Sequence, residues 1–331
     1  MVKRILAVVV AAIVGVSLVA GCDSGGTGEP ESGATRTVEH YFGSTRVPAV
    51  PKRIVTVGYT DDQTVLALGF RPVGMTDQYP NTGGAVPDVN TQWPWVKDLW
   101  GAQLPQVVLT NGEDAPNYEK IAALKPDLIV AVYSDIDKSA YDRLTTIAPT
   151  VARAAGVTEP FGAPWRETIE QIARAVGKES DAAMKLAAID KQFADARAAN
   201  PGFATQTAVA LAYYKDQVYP FTSTDVRGQV LAGLGLKSNP EVDSLSGGKF
   251  SYPLSTERLN VIDVDRIFVI ADSAERDALR AVPSFAALRS VRDGRAVYLL
   301  DSDAPSIGAA MSQATLASMP YAVDQVAKAA A

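Results

Sequence analysis

Short apolar runs alternate with helical patterns along most of the chain, starting near residue 53. Residues 53–58 and 127–133 are β-rich runs of strand length, and the second is almost continuously apolar, as in a strand buried on both faces. Helical patterns lie at residues 61–68 and 117–124, and the second ends before Pro126. This alternation of strands and helices predicts an α/β fold with parallel sheets.

The pattern changes in the middle of the chain, where two long helical stretches follow one another at residues 165–176 and 180–199. In the second stretch apolar residues recur at spacings of three and four, which predicts one buried stripe. Alternation then resumes, with a hairpin at 209–221 and a closing helix at 306–329 that is expected to kink at Pro320. The predicted fold class is two Rossmann-like α/β lobes joined by a single long α-helix, with a ligand cleft between them.

The first residues are typical of a secretion signal. Lys3 and Arg4 precede an apolar run at 5–20, which is short for a membrane span; an uncleaved anchor helix is the alternative. The run ends in small residues before Cys22, which resembles the lipobox of bacterial lipoproteins, so Cys22 is expected to carry lipid (palmitate) and to hold the chain on the extracytoplasmic face of the cell membrane. The predicted segments are a signal peptide (1–21), a flexible tether (22–36), an N-terminal lobe (37–177), a connecting helix (178–202) and a C-terminal lobe (203–331).

Composition excludes several classes of function. The chain has 31 basic and 37 acidic residues, a formal net charge of −6, which argues against nucleic-acid binding. One cysteine and one histidine leave no disulfide framework, no Cys/His zinc site and no Cys–His nucleophile pair. Gly247-Gly248-Lys249 lacks the other residues of a phosphate-binding loop. We therefore expect no enzyme, no catalytic residue and no metal site.

Aromatic residues are concentrated in loops and at the ends of predicted strands. Tyrosine and tryptophan offer rigid apolar faces and arginine a fixed charge, a combination that suits a bulky, partly anionic small molecule in a cleft. For any single residue of the set, packing in the core agrees equally well with the pattern. The candidate ligand-binding residues are Tyr79, Trp93, Trp95, Tyr133, Arg166, Tyr214, Arg227 and Tyr252.

Several local motifs, in order, resemble one known family. The most specific is Pro116-Asn-Tyr-Glu119-Lys-Ile-Ala-Ala-Leu-Lys-Pro-Asp-Leu-Ile129; weaker ones are Pro51-Lys-Arg-Ile-Val and Leu254-Ser-Thr-Glu257-Arg-Leu259. They resemble the class III substrate-binding proteins of ABC importers, whose lobes are joined by a rigid helix and which carry ferric siderophores, cobalamin or haem. The resemblance covers nearly all of the chain after residue 37.

The resemblance implies capture of an iron–siderophore complex and its delivery to ABC permease subunits and their ATPase, by a monomer without a resident cofactor. It places Glu119 and Glu257 at the positions that dock on the permease. Some hydroxamate binders of the family have an arginine in the loop that reads Asn111-Gly-Glu-Asp-Ala115 here, so the resemblance disfavours a hydroxamate-type pocket. Haem (through Tyr79 or Tyr133) or a corrinoid remains an alternative ligand, and a non-transport surface scaffold or regulator an alternative function.

Overall fold

Parallel strands form the centre of both lobes in this computed structural model, which describes residues 33–78 and 91–331. The sheet of the first lobe has five parallel strands. The sheet of the second lobe has four strands, and one of its two edge strands is antiparallel. The predicted α/β class is therefore confirmed. In chain order the strands are β1 (Thr35–His40), β2 (Gly43–Pro48), β3 (Ile54–Thr56), β4 (Gly74–Asp77), β5 (Gln106–Thr110), β6 (Leu128–Ala131), β7 (Thr150–Ala152), β8 (Ala208–Tyr214), β9 (Gln217–Pro220), β10 (Arg266–Ala271) and β11 (Ala296–Leu300).

The strand order defines two separate sheets and one hairpin. The first sheet runs β5-β4-β3-β6-β7, and the second runs β11-β10-β8-β9. β1 and β2 pair antiparallel as a two-stranded hairpin at the start of the described chain. The hairpin β8–β9, predicted from the sequence, is present as an antiparallel edge of the second sheet.

Helices connect the strands, and several begin and end where the sequence predicts. Pro164 precedes the helix Trp165–Val176, and Gly177 ends it in the left-handed conformation at φ 71°, so both boundaries agree with the prediction. The α-helices are Asp61–Ala67, Lys97–Trp100, Tyr118–Ala123, Lys138–Thr145, Trp165–Val176, Glu179–Ala199, Val226–Gly233, Pro240–Leu245, Ser273–Ala281, Pro283–Ala286, Arg289–Arg292, Ile307–Gln313 and Ser318–Ala330, and the 3₁₀ helices are Pro201–Thr205 and Thr256–Ile262.

Both sheets are buried on both faces. Along β6, Leu128 and Val130 join one apolar cluster, whereas Ile129 and Ala131 join another on the opposite face. This alternation explains the nearly continuous apolar run, because each face of a parallel strand is covered. The cluster that contains Leu128 also takes in Phe268 of β10, so one apolar core is shared by the two lobes.

The connecting helix Glu179–Ala199 has 21 residues, about 30 Å in length, and begins one residue before the predicted stretch. Its buried stripe includes Leu186, Ile189 and Phe193, which belong to the shared core. The helix is therefore packed along its length rather than suspended between the lobes.

The closing helix differs from the prediction. Instead of one helix over 306–329 with a kink at Pro320, there are two helices, Ile307–Gln313 and Ser318–Ala330. The first ends at Ala314, whose φ of 46° is left-handed. Pro320 lies in the first turn of the second helix, where its missing N–H leaves no hydrogen bond unmade.

Two other differences concern short strands. The tether was expected to run through residue 36, but β1 starts at Thr35, and the Arg36 guanidinium donates to the carbonyls of Arg174 and Ala175 at 3.0 and 2.7 Å. β5 falls at the end of a long stretch in which no strand was predicted. The signal peptide, Cys22, most of the tether and Tyr79 lie outside the described residues. Within the described ranges, no helix has the length and apolarity needed to span a bilayer.

A cleft between the lobes as the candidate binding site

A cavity of about 1270 Å³ lies between the two lobes and is lined by both of them. The first lobe contributes Tyr133 and a loop, residues 156–164, that contains Phe161. The second contributes Arg227 and a loop at residues 247–251. This cavity, called the cleft below, is large enough for a bulky small molecule.

Tyr133 anchors the aromatic wall of the first lobe. It follows β6 at the carboxyl end of the sheet, where open α/β sheets bind ligands. Its ring lies 5.0 Å from that of Phe161, and the ring of Tyr59 lies 5.5 Å from Phe161 on the other side. All three residues line the cleft, so they form one continuous aromatic surface.

A buried carboxylate fixes the backbone beneath this wall. Asp61 begins the helix Asp61–Ala67 and is fully buried. Its two carboxylate oxygens accept hydrogen bonds from the N–H groups of Val132 at 2.7 Å and Tyr133 at 3.0 Å. A Cβ added at Gly58 would lie 2.1 Å from a carboxylate oxygen of Asp61, so only glycine leaves room for this arrangement. Asp61 therefore positions Tyr133 from inside the core.

The two adjacent buried carboxyl groups, Asp61 and Asp62, both have raised pKa values. Burial raises the pKa of Asp61 to about 6, although the backbone hydrogen bonds of Tyr133 and Val132 oppose the shift. Burial and the adjacent Asp61 raise the pKa of Asp62 to about 8. Asp62 is therefore largely protonated in the folded protein at neutral pH.

Arg227 occupies the side of the cleft formed by the second lobe, where it is already paired. Its guanidinium contacts both carboxylate oxygens of Asp225 at 2.6 and 2.7 Å, and it lies 3.5 Å above the ring of Phe221. Burial disfavours the charged guanidinium, but Asp225 outweighs burial and raises the pKa of Arg227. The Asp225 carboxylate also caps the helix Val226–Gly233 by accepting a hydrogen bond from the Arg227 N–H at 2.9 Å.

Hydrogen bonds join the lobes at the floor of the cleft. The Gln63 amide donates to the side-chain oxygen of Gln313 at 3.1 Å, and the Gln313 amide donates to Gln78 at 2.6 Å. Gln63 also accepts from the Trp95 indole at 2.8 Å and the Thr315 hydroxyl at 3.0 Å. These five residues, the floor network, connect the first lobe to the closing helices of the second.

Three of the predicted ligand-binding residues line the cleft: Tyr133, Tyr214 and Arg227. Tyr214 lies at the turn of the hairpin β8–β9 and is 53% exposed. Tyr79 lies outside the described residues. The other four are placed elsewhere.

Neither predicted tryptophan lines the cleft, because Trp95 belongs to the floor network and Trp93 packs beside it. Trp93 is 3% exposed, and its ring stacks on that of Trp95 at 5.0 Å. Trp95 in turn lies 5.4 Å from Tyr321 of the last helix. Their apolar surface is therefore used to hold the lobes together.

Arg166 and Tyr252 also lie outside the lining of the cleft. Arg166 forms an ion pair with Asp190 of the connecting helix, and its guanidinium lies 4.4 Å from the ring of Trp165. Tyr252 packs its ring against the apolar core of the second lobe. Helical geometry explains the difference for Arg166, because Trp165 takes the buried face of the helix and the next side chain points about 100° away.

Sequence reasoning missed Phe161, Phe250 and Tyr59, all of which line the cleft. Phe161 has φ 60° in a Pro- and Gly-rich loop just before a long helix, and Phe250, 59% exposed, follows Gly247-Gly248. In both places an aromatic residue stands in a segment whose composition predicts a loop, which is the signal that would have found them.

The predicted docking residues lie at two exposed helix starts. Glu119 is in the first turn of Tyr118–Ala123, which Asn117 caps, and Glu257 is in the first turn of Thr256–Ile262, which Ser255 caps. Within residues 33–78 and 91–331, neither carboxylate takes part in an ion pair. Both are available to a partner.

The described part of the chain holds no group of three or more His, Cys, Asp or Glu side chains arranged for a metal ion. His40 is buried and hydrogen-bonded to Thr45 at 2.9 Å, and burial lowers its pKa to about 4. It therefore serves as a neutral structural residue away from the cleft.

Two α/β lobes, a packed connecting helix and a cleft between the lobes define a two-lobed solute-binding protein. A profile of the periplasmic binding protein family matches residues 54–304, and the chain belongs to this family of substrate-binding transport proteins.

Individual relatives agree with this assignment. The Fe(3+)-citrate-binding protein YfmC of Bacillus subtilis is 28% identical over 310 residues, which cover 91% of this chain and 90% of that protein. The "probable siderophore-binding lipoprotein YfiY" of the same organism is 29% identical over 258 residues, covering 76% and 74%. The crystal structure of a periplasmic solute binding protein from Mycobacterium smegmatis superposes with a TM-score of 0.76 at 28% identity, covering 89% of this chain and 97% of that one.

Proposed function

We propose that this protein captures a ferric chelate in the cleft and delivers it to the permease of an ABC importer. The observation that carries the proposal is the cleft itself, about 1270 Å³ between two lobes and walled by Tyr133, Phe161 and Phe250, in a chain of the periplasmic binding protein family. Relatives named for ferric citrate and siderophore binding support iron as the cargo.

The chemistry of the walls favours a chelate over a bare ion. A free ferric ion needs several convergent oxygen or nitrogen ligands, and the described residues form no such group. Aromatic rings instead contact the organic part of a chelate, which presents apolar and planar surfaces. The protein therefore recognises the shape and charge of the whole complex, while the chelator holds the iron.

Haem ligation through Tyr133 is the less favoured alternative. A tyrosinate ligand must lose its phenolic proton, but burial raises the pKa of Tyr133, and Asp225 and Asp61 add to this effect while Arg227 opposes it. The one histidine lies away from the cleft. Corrinoid binding and a non-transport scaffold are distinguished by the titration below.

Capture is proposed to involve little lobe movement. The connecting helix is packed into the shared core, and the floor network joins the lobes through side-chain hydrogen bonds. Large domain closure needs hinge residues that absorb changes in φ and ψ, which a packed helix cannot do. The cleft is therefore largely formed before the ligand arrives.

The leader completes the proposal. Cleavage before Cys22 and acylation of its thiol would hold the mature protein on the outer side of the cell membrane, with residues 23–34 as a short tether. Mass spectrometry of the membrane-extracted protein should find a chain that begins at an acylated Cys22. A Cys22→Ala variant should accumulate with its leader uncleaved.

Binding is tested by titrating the purified globular domain with ferric siderophores, ferric citrate, haem and cobalamin, and following intrinsic fluorescence and absorbance. We expect saturable binding of at least one ferric chelate with micromolar or tighter affinity, and weaker binding of the iron-free chelator. Tight binding of haem or cobalamin, without binding of any ferric chelate, would show that this compound and not a ferric chelate is the cargo. No binding in any arm would favour a scaffold.

Docking is tested separately by reversing both exposed carboxylates. Glu119→Lys with Glu257→Lys should block uptake into cells and leave chelate affinity unchanged, because charge complementarity orients the complex on the permease. The matched control reverses two other exposed glutamates, Glu170 and Glu241. Equal loss of uptake in both pairs would reject a specific docking role, and loss of chelate affinity would show that the two residues contact the ligand.

A further inference from the structure

The cleft has an excess of negative charge. Among residues 33–78 and 91–331, its lining includes five carboxylates and two basic side chains, a net formal charge of −3. Even with Lys215, whose ammonium lies 5.0 Å from the ring of Tyr214 at the rim, the sum stays negative. The charged residues of the lining are Glu159, Glu167, Asp225, Arg227, Lys249, Glu275 and Asp301.

Arg227, the less exposed of the two cations in the described lining, is already neutralised. Its Nε and Nη2 contact the carboxylate of Asp225 at 2.6 and 2.7 Å, and its flat face is covered by Phe221 at 3.5 Å. Its Nη1 lies 3.5 Å from the Ser312 hydroxyl, and an anionic ligand that binds there meets a guanidinium whose charge Asp225 already balances, with the Asp225 carboxylate nearby as a like charge. Arg227 is therefore a poor anchor for an anion, contrary to what its residue type predicts from sequence.

In the part of the chain that the structure describes, the opposite rim of the cleft adds negative charge and no cation. Glu159 lies on the loop 156–164 and Glu167 on the first turn of the following helix. Arg166, the cation next to Glu167, is turned toward Asp190 and does not line the cleft. On the floor, the exposed Asn111 donates to the Gln78 carbonyl at 3.1 Å and supplies no charge.

We infer that the cleft selects ferric chelates with zero or positive net charge and rejects strongly anionic ones. This inference rests on the proposed function and deepens it by naming the class of cargo. Three hydroxamates carry three negative charges and neutralise Fe(III), and a free amine on such a chelator makes the complex cationic. Three catecholates carry six negative charges and leave the complex triply negative.

Two physical effects produce this selection. A cleft lined by one sign of charge focuses its field, so a trianion is repelled as it enters and a cation is drawn in. Inside, the faces of Tyr133, Phe161 and Phe250 offer the negative side of their ring quadrupoles to an ammonium group. The resemblance disfavours a hydroxamate-type pocket because the segment 111–115 has no arginine, but a neutral chelate needs no arginine to balance its charge.

The test compares four probes on the same protein preparation: ferrioxamine B (cationic), ferrichrome (neutral), ferric enterobactin (triply anionic) and ferric citrate (anionic). We expect ferrioxamine B or ferrichrome to bind at least about tenfold more tightly than either anion at physiological salt. Raising the salt concentration should weaken the binding of ferrioxamine B and leave the affinity for ferrichrome nearly unchanged.

A pair of variants isolates the charge effect. Glu159→Gln with Glu167→Gln should weaken ferrioxamine B several-fold, leave ferrichrome within about twofold, and improve binding of the anions. Glu170→Gln is the matched control, because this residue is exposed on the same helix and does not line the cleft. Circular dichroism and thermal unfolding check that all variants keep the fold.

The outcomes separate the inference from the proposed function. Tighter binding of ferric enterobactin or ferric citrate than of the other two probes would overturn the charge selection and leave ferric-chelate capture intact. Binding by none of the four, nor by further ferric chelates, would overturn the proposed function and the inference with it. If Glu159→Gln with Glu167→Gln changes the affinity for ferrioxamine B no more than Glu170→Gln does, the inferred charge selection would also be overturned.

Discussion

The two lobes build their sides of the cleft in different ways. In the first lobe Tyr133 follows β6, a parallel strand in the interior of the sheet, and its backbone is held by the buried Asp61. In the second lobe Tyr214 lies at the turn of an antiparallel edge hairpin, and Phe250 lies on a loop, with exposures of 53% and 59%. One side is an extension of the core, and the other is a surface feature.

This difference indicates which side adjusts to the ligand. A wall whose backbone is fixed from within loses little conformational entropy on binding, so its contacts contribute fully to affinity. Exposed aromatic side chains on a turn and a loop must be ordered by the ligand, which offsets part of what they gain. We therefore expect the first lobe to determine affinity and the second to adapt to the shape of the cargo.

The largest effect is expected from removing the support of the first wall. Asp61→Ala leaves two buried N–H groups unpaired, each worth about 1–3 kcal/mol, so the free energy of unfolding should fall by about 2–5 kcal/mol in urea titrations. Asp135→Ala, an exposed change in the loop that contains Tyr133, should cost less than about 0.5 kcal/mol. Similar midpoints for both variants would show that Asp61 does not support the wall.

A pH dependence should come from the same place. Because the pKa of Asp62 is raised to about 8 from 3.8, the folded state holds a proton that the unfolded chain has released between these values. Stability contributed by this group is therefore present at low pH and is lost as pH rises toward 8. Asp62→Asn imitates the protonated form, so the amount by which its free energy of unfolding exceeds that of the parent protein should be about 3–4 kcal/mol larger at pH 8 than at pH 5.

Urea unfolding of the parent protein and Asp62→Asn at pH 5, 6, 7 and 8 measures this effect. Two parallel stability profiles would mean that Asp62 ionises in the folded state much as it does in the unfolded chain.

Affinity distinguishes the two sides directly. Tyr133→Ala should lower the affinity for the ferric chelate about tenfold (~1.4 kcal/mol), because the variant removes a fixed aromatic ring. Tyr214→Ala should lower the affinity only about two- to fourfold. Isothermal titration with the best probe measures both. Equal losses, or a larger loss for Tyr214, would contradict the assignment of affinity to the first lobe.

The parts of the fold that the sequence predicted are those set by local chemistry. The helix Trp165–Val176 is flanked by a proline and a glycine, and β6 is an apolar run of strand length, so their bounds followed from neighbouring residues. The break at Ala314 was not predictable in this way, because nothing in the residue type of alanine indicates a left-handed conformation.

The binding residues divide along the same line. Tyr133 was found because strand ends in open sheets are recurrent ligand positions. Trp93 and Trp95 were assigned to the cleft because they stand in a loop-rich stretch, but they pack against Ala309, Ala317 and Tyr321, more than two hundred positions later. Contacts between residues so far apart in the sequence depend on how the lobes pack together, and hydrophobic periodicity and composition do not predict that packing.

The smallest effect is expected at Arg166, and it sharpens the comparison because sequence reasoning placed this residue in the cleft. The structure pairs it with Asp190 at the surface, where the two side chains are 37% and 58% exposed. Exposed ion pairs contribute little, so Arg166→Gln should change the free energy of unfolding by less than about 0.5 kcal/mol and leave chelate affinity unchanged. Asp190→Asn should give the same small change, and the double variant should add nothing further if the pair is the only role. A loss of affinity in Arg166→Gln but not in Asp190→Asn would mean that the guanidinium turns toward the cargo, and the first lobe would then supply the free cation that its wall otherwise lacks.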